Sequence, residues 1–273
     1  MPVINIKQSL RQRALICLQE SDPDKKVHTT YALFDDLQNC RVEIDKDFTA
    51  ESQCLSGNPQ KPELVPAYQL PKRGMGSLEG HAALIHSFAH IEFNAINIAW
   101  DAVYRFANMP EQYYRDWAEI AKEEAYHFQL INDYLKTINY EYGSFQAHND
   151  LWEMVKKTAH DVMVRMALVP RVLEARGLDV TPSIISRFKH HGYDKAVEIL
   201  EIIYRDEIGH VEKGSHWFKY LCEQRGLNPE QTFIELIRSY ATDKIRKPFN
   251  DVAREQAGFT DFELELLNSW QQQ

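Results

Sequence analysis

Apolar residues recur at helical spacing almost without interruption from residue 77 onward, and the breaks between these runs mark out the elements. Ser77 reads as the N-cap of a first long helix reaching residue 106, with Ile85, Phe88, Ile96, Ala99 and Val103 on one face. Pro110 suits the first turn of a second helix over 110–138. After a connection over 139–148, a third helix is predicted over 149–176, stopping at Gly177. Thr181-Pro182 then opens a short linking helix that ends near Gly192. A fourth long helix follows over 194–224, before Gly226. Asn228 with Gln231, and Thr260 with Glu263, have the spacing of capping boxes for C-terminal helices. Helices of about 30 residues are about 45 Å long, far above the usual globular length. Long amphipathic helices with a longer link between the second and third predict an all-α four-helix bundle.

Residues 1–75 behave differently. A helical pattern over 6–20 gives way to turn-rich and Pro-rich sequence, in which Pro59, Pro62, Pro66 and Pro71 lead into Gly74-Met75-Gly76. Proline at that density favours an extended arm lying along other structure. The expected organisation is an N-terminal helix and Pro-rich arm over 1–75, the bundle over 76–226, and a C-terminal helical extension over 227–273.

Polar residues interrupt the apolar stripes at particular places. Glu207 and His210 share the face of the fourth helix that carries Ile199, Leu200, Ile203, Val211, Trp217 and Leu221. The same Glu-x-x-His spacing occurs at Glu124 and His127. With 23 glutamates and 11 histidines in the chain, about one such match is expected by chance, so the spacing alone is weak. Its accompaniment is more specific. Glu92 lies between Phe88 and Ile96 on the first helix, and Glu174 shares a stripe with Met163, Ala167 and Pro170 on the third. Glu92 precedes Glu124 by 32 residues, and Glu174 precedes Glu207 by 33. The bundle therefore reads as two similar hairpins, each supplying one Glu and then one Glu-x-x-His. Residues three apart on a helix project to the same side, so each pair can face one point. Four buried carboxylates repel one another unless cations hold them ionised, and two divalent metals balance the charge. The alternative is a pair of hydrogen-bonded core polar residues on each helix. Carboxylates with nitrogen donors suit two ions of iron, manganese or a mixed iron–manganese pair, iron first.

The motifs extend beyond these residues. Gly76-Ser-Leu-Glu-Gly80, HSFAHIEFNAINIAWDAVYRF (86–106), KEEAYHF (122–128), PRVLEARGLD (170–179) and YRDEIGHVEKG (204–214) resemble an uncharacterised bacterial ferritin-like family over nearly the whole chain. The resemblance implies a rubrerythrin-like di-iron bundle with Glu92, Glu124, His127, Glu174, Glu207 and His210 as metal ligands.

Several other residues compete for attention. His86 and His90 are spaced for a second metal, but a surface or capping pair is the expectation. His160 is expected in the core, and Tyr104, Tyr126 and Tyr204 as packing aromatics. Asp206 and Glu123 point away from the ligand face and are expected in ion pairs elsewhere. Pro170 should kink or bulge the third helix four residues before Glu174.

Composition narrows the function classes. A net charge of -9 argues against a nucleic-acid partner. No stretch resembles a membrane span or a signal-peptide core, and the four cysteines contain no C-x-x-C, so a cytoplasmic protein with reduced thiols is expected. Lacking a C-x-x-C iron module, the chain would draw on an external electron donor. The leading expectation is an oxidoreductase activating O2 or peroxide, of hydroxylase or mono-oxygenase type, as a monomer or dimer. A rubrerythrin-like peroxidase or ferroxidase, or a metal-binding bundle with an assembly role and no catalysis, are the alternatives.

Overall fold

The computed structural model describes residues 8–51, 56–71, 74 and 76–270, and among these the apolar stripes become helices with no strand. Cys54, Met75 at the end of the arm, and the first residues of both the N-terminal helix and the chain lie outside the described residues. Two compact units divide the chain, Met1–Trp152 and Glu153–Gln273. Each contains one long antiparallel helix pair.

In the first unit the pair is α3 (Leu78–Arg105) and α4 (Glu111–Thr137), with α1 (Leu10–Gln19) and α2 (Pro23–Gln38) packed on it. Ser77 caps α3 as expected, its side chain accepting from Gly80 N–H, and the predicted stripe of Ile85, Phe88, Ile96, Ala99 and Val103 is buried. The antiparallel register shows at both ends. Tyr113 Oη donates to Ala102 O at 3.4 Å, and Tyr134 Oη meets His81 Nε2 at 2.7 Å.

Helix α2 corrects the expectation that turn-rich sequence follows residue 20. Asp22 caps it by accepting from Lys25 N–H, and Pro23 fills the first turn where no amide donor is needed. Val27, Leu33 and Leu37 form its buried face. Two buried cations then close helix ends whose last carbonyls lack intrahelical partners. Lys26 Nζ donates to Cys17 O and Leu18 O at 2.8 and 3.0 Å, and to Asn97 Oδ1 on α3 at 2.6 Å. Burial brings its pKa down to about 7. Arg11 does the same at the end of α3, donating from Nη2 to Tyr104 O at 2.8 Å and from Nε to Val103 O at 3.2 Å. The Pro-rich arm lies along the later connection through one parallel bridge, with Val65 N–H to Ala147 O at 2.9 Å and Ala147 N–H to Glu63 O at 3.0 Å.

That connection is clamped by His86 and His90, expected as a surface or capping pair and in fact buried. His86 Nε2 accepts from Gly143 N–H at 2.9 Å. His90 meets Tyr142 Oη through Nδ1 and His148 O through Nε2, both at 2.9 Å. His86 Nε2 and both ring nitrogens of His90 therefore serve the loop over 142–148.

Helix α5 (Asp150–Lys157) crosses the division between the units. The predicted third helix differs from expectation in a break along its length and at its end. Its start is α5, but the helix breaks over 158–161, where Asp161 caps a new helix, α6 (Val162–Leu168), by accepting from Met163 and Val164 N–H. It then passes through a π-turn (Val169–Glu174) into α7 (Ala175–His190), running through both Gly177 and Pro182. A proline removes the donor for the carbonyl four residues earlier, here Leu178 O. Asn250 Nδ2 donates to that carbonyl at 3.2 Å, so a distant side chain sustains the helix that local signals would end. The bulge expected at Pro170 is present as the π-turn.

Helix α8 (Asp194–Gln224) returns antiparallel, with Cys222 Sγ 3.8 Å from Met163 Sδ at one end and Tyr193 against Phe188 at the other. Helices α9 (Pro229–Tyr240), α10 (Asp251–Gln256) and α11 (Asp261–Ser269) complete the unit. Asn228 caps α9, and Thr260 forms a full capping box with Glu263 on α11. No helix among the described residues is long and apolar enough to cross a membrane.

Gly214 on α8 admits the Pro170 ring: an added Cβ would lie 2.4 Å from Pro170 Cβ and Cγ. Gly214→Ala is expected to destabilise by about 1–3 kcal/mol as overpacking, read from the denaturant midpoint. Gly209→Ala, whose Cβ would meet open space, should be neutral or stabilising.

His86 yields a pH prediction. Its acceptor role requires a neutral ring, and burial lowers its pKa to about 4. The unfolded ring titrates near 6.5, so between these values the unfolded state binds more protons. This contribution is complete above about pH 6.5 and is lost as pH falls toward about 4. His86→Gln is expected to flatten the fall in unfolding free energy over that window by on the order of 1–3 kcal/mol, measured by chemical denaturation at several pH values.

Candidate metal centre

The register of α3 against α4 carries Glu92 to the level of Glu124 and His127. Glu92 stands at the mid-length of α3, with buried Phe88 and Ile96 one turn to either side of it. Glu92 is 2% exposed, Glu124 1% and His127 0%. His127 Nδ1 lies 3.4 Å from Glu92 Oε2 and 3.4 Å from Glu124 Oε2. One donor atom from each of the three residues falls within 4.8 Å of the others. Donors bound at 2.0–2.2 Å to one ion stand roughly 3–3.5 Å apart, so the spacing fits a shared cation.

The electrostatics agree with the spacing. Burial, and then the charge of Glu124, push the Glu92 carboxyl well above the usual carboxylate range. Glu92 Oε2 is buried and makes no hydrogen bond among the described residues. Ordinary core polar residues find hydrogen-bond partners, and this oxygen instead faces an imidazole nitrogen beyond bonding geometry. A divalent cation at that point would satisfy the oxygen and keep the carboxylate ionised. The group can therefore hold a metal ion.

The second unit repeats the local arrangement. His210 Nδ1 lies 3.4 Å from Glu207 Oε1, with the two side chains 1% and 15% exposed. The i, i+3 spacing brings them together on α8, and Gly214 follows one turn beyond His210. Glu174 ends the π-turn, with its Oε2 sealed from solvent. Since Pro170 packs on Gly214, the antiparallel register puts Glu174, four residues later, at the level of His210.

The remaining candidates sort out differently from expectation in two cases. His160 is exposed in the turn between α5 and α6 and stacks on Tyr240, so it is not a core histidine. Tyr126 is 41% exposed and packs no core. Tyr104 is buried and accepts Glu51 N–H at 2.9 Å, and Tyr204 Oη accepts from Asn250 at 2.9 Å. Asp206 pairs with Arg205 at 2.9 Å, as its direction away from the ligand face required.

Sequence reading overlooked Arg171, Asp179, Arg254 and Glu263, all buried and all in ion pairs within the second unit. The partners are 75 and 92 residues apart, and no local pattern links them. The available signal was weak: Arg171 lies on a stripe otherwise apolar.

The comparisons with known proteins bear on ancestry. A family model described as "Protein of unknown function (DUF455)" matches residues 19–265. A protein of Haemophilus influenzae, described as an uncharacterized protein, is 42% identical over 267 residues, covering 94% of this chain and 92% of the relative. No solved structure matches. With a family model spanning most of its length and a relative this close, the chain belongs to the DUF455 family.

Proposed function

We propose that this protein is a dinuclear metal carboxylate oxidoreductase of the ferritin-like, rubrerythrin-like type, using iron first, or manganese or a mixed pair. The reading rests on one observation above all: the buried convergence of Glu92, Glu124 and His127, with a Glu92 oxygen that no hydrogen bond satisfies. Its repetition as Glu207 and His210 supports a second half-set, which Glu174 completes. In this reading the two half-sets supply four carboxylates and two imidazoles, matching the charge of two divalent ions.

Redox-active metals, when bound, supply electrons to O2 or a peroxide. The chain's residues do the rest. Glu92 and Glu124, in dry surroundings, would hold cations strongly, because charge interactions are little screened there. His127 and His210 present Nδ1 toward the carboxylates, leaving Nε2 to orient each ring. The absence of any C-x-x-C from the sequence favours a hydroxylase or mono-oxygenase served by an external electron donor over a self-contained rubrerythrin.

Anaerobic Fe(II) titration of the full chain tests the reading. Two ions per chain are expected, with Glu124→Ala and Glu207→Ala each weakening binding beyond the about 10- to 100-fold that outer contacts cost. Admitting O2 or peroxide should then oxidise the iron, and a reductant should sustain consumption. One ion or none overturns the dinuclear proposal. Two tightly bound ions without O2 or peroxide consumption overturn the oxidoreductase and leave a binding or assembly role.

A further inference from the structure

Glu174 ends a π-turn that interrupts the regular α-helical ladder. Pro170 withholds an amide, the hydrogen bonding slips to a π-turn over Val169–Glu174, and the Pro170 ring seats on Gly214. A loosened turn of this kind needs an outside anchor if its last residue is to hold a metal.

Arg171 is such an anchor. It is fully buried, and its Nη2 donates to both Glu263 oxygens at 2.8 and 2.7 Å. Nε donates to Ser215 Oγ at 3.1 Å, on the α8 residue next to Gly214. The guanidinium lies 4.0 Å from the Phe233 ring centroid, with Phe259 at 4.6 Å and Phe218 at 4.9 Å. Glu263 is itself constrained, since Oε2 accepts Thr260 N–H at 3.0 Å in the capping box of α11. A buried ion pair is a poor source of net stability compared with apolar packing, whereas two nitrogens held by two different partners, Nη2 by Glu263 and Nε by Ser215, fix the orientation of the guanidinium.

We infer that Arg171 is a positioning residue for Glu174, through which the C-terminal helix α11 reaches the metal centre by way of Glu263. The inference rests on the proposed function, in which Glu174 is a ligand. A second buried pair provides the internal control. Arg254 donates to Asp179 from Nε and Nη2, both at 2.8 Å, joining the tail to α7 beyond the π-turn.

The test is Co(II) titration of the full chain, followed by calorimetry and by the visible absorption of the bound ion. Glu263→Gln keeps a side chain able to cap Thr260 but removes the charge facing Arg171. It is expected to weaken one of the two Co(II) equivalents by about 10- to 100-fold, the usual cost of losing an outer contact, and to change its absorption. Ser215→Ala, a milder cut, should shift both readouts in the same direction and decides the matter if Glu263→Gln does not fold. Asp179→Asn should lower the melting temperature with affinity and absorption unchanged. Wild-type affinity and absorption in Glu263→Gln, or equal metal loss in Asp179→Asn, would overturn the positioning role. Glu174→Ala separates the two levels. If it leaves Co(II) binding intact, Glu174 is no ligand and both readings of it fall. If it weakens binding while Glu263→Gln and Ser215→Ala do not, only the positioning role falls.

Discussion

A carboxylate inside an apolar helix face has few ways to be tolerated: it takes up a proton, finds donors, or neutralises its charge with a cation. Glu92 meets that constraint in severe form, with Glu124 beside it and both nearly inaccessible to solvent. Much of the first unit can be understood as support for this arrangement. The long α3–α4 pair sets the register that brings the residues level, and the imidazole of His127 sits 3.4 Å from both. The helix pair is in turn steadied by α1 and α2, whose buried Arg11 and Lys26 close helix ends by donating to carbonyls.

The second unit handles buried charge by a different route. Arg254 grips Asp179 with a two-nitrogen fork, and Arg171 reaches both Glu263 oxygens from Nη2 alone, its buried Nη1 making no hydrogen bond among the described residues. Such pairs cost desolvation at both ends, and their value lies in directing where groups sit. Both join residues of the helix that bears Glu174 to the tail after α9. The extension is therefore part of what shapes that helix. Asn250 makes the same point through a single amide, which replaces the donor that Pro182 cannot supply.

Legibility from sequence followed the range of the signal. Ser77, Asn228 and Thr260 act within three residues, and the helix starts they imply are where expected. The span of α8 was readable for the same reason, between Gly192 and Gly226. Asp22-Pro23 carried an equally local signal for α2, obscured by the prolines that follow later in the arm. The end at Gly177 failed for a deeper reason. Glycine and proline weaken a helix locally, but packing of α7 on α8 and the Asn250 contact outweigh that weakness.

The sequence by itself determined that the chain is helical, where three of its four long helices run, and which carboxylates and imidazoles repeat at matched spacing. Periodicity and capping are short-range properties, and they survive without knowledge of the fold. Tertiary structure alone decided that Glu92 lies level with Glu124 and His127, that His86 and His90 serve a loop, and that Arg171 finds Glu263. Each of those depends on which distant segment packs against the residue. Burial then sets the chemistry, because the same carboxylate is an ordinary surface acid in water and a candidate metal ligand once water is excluded.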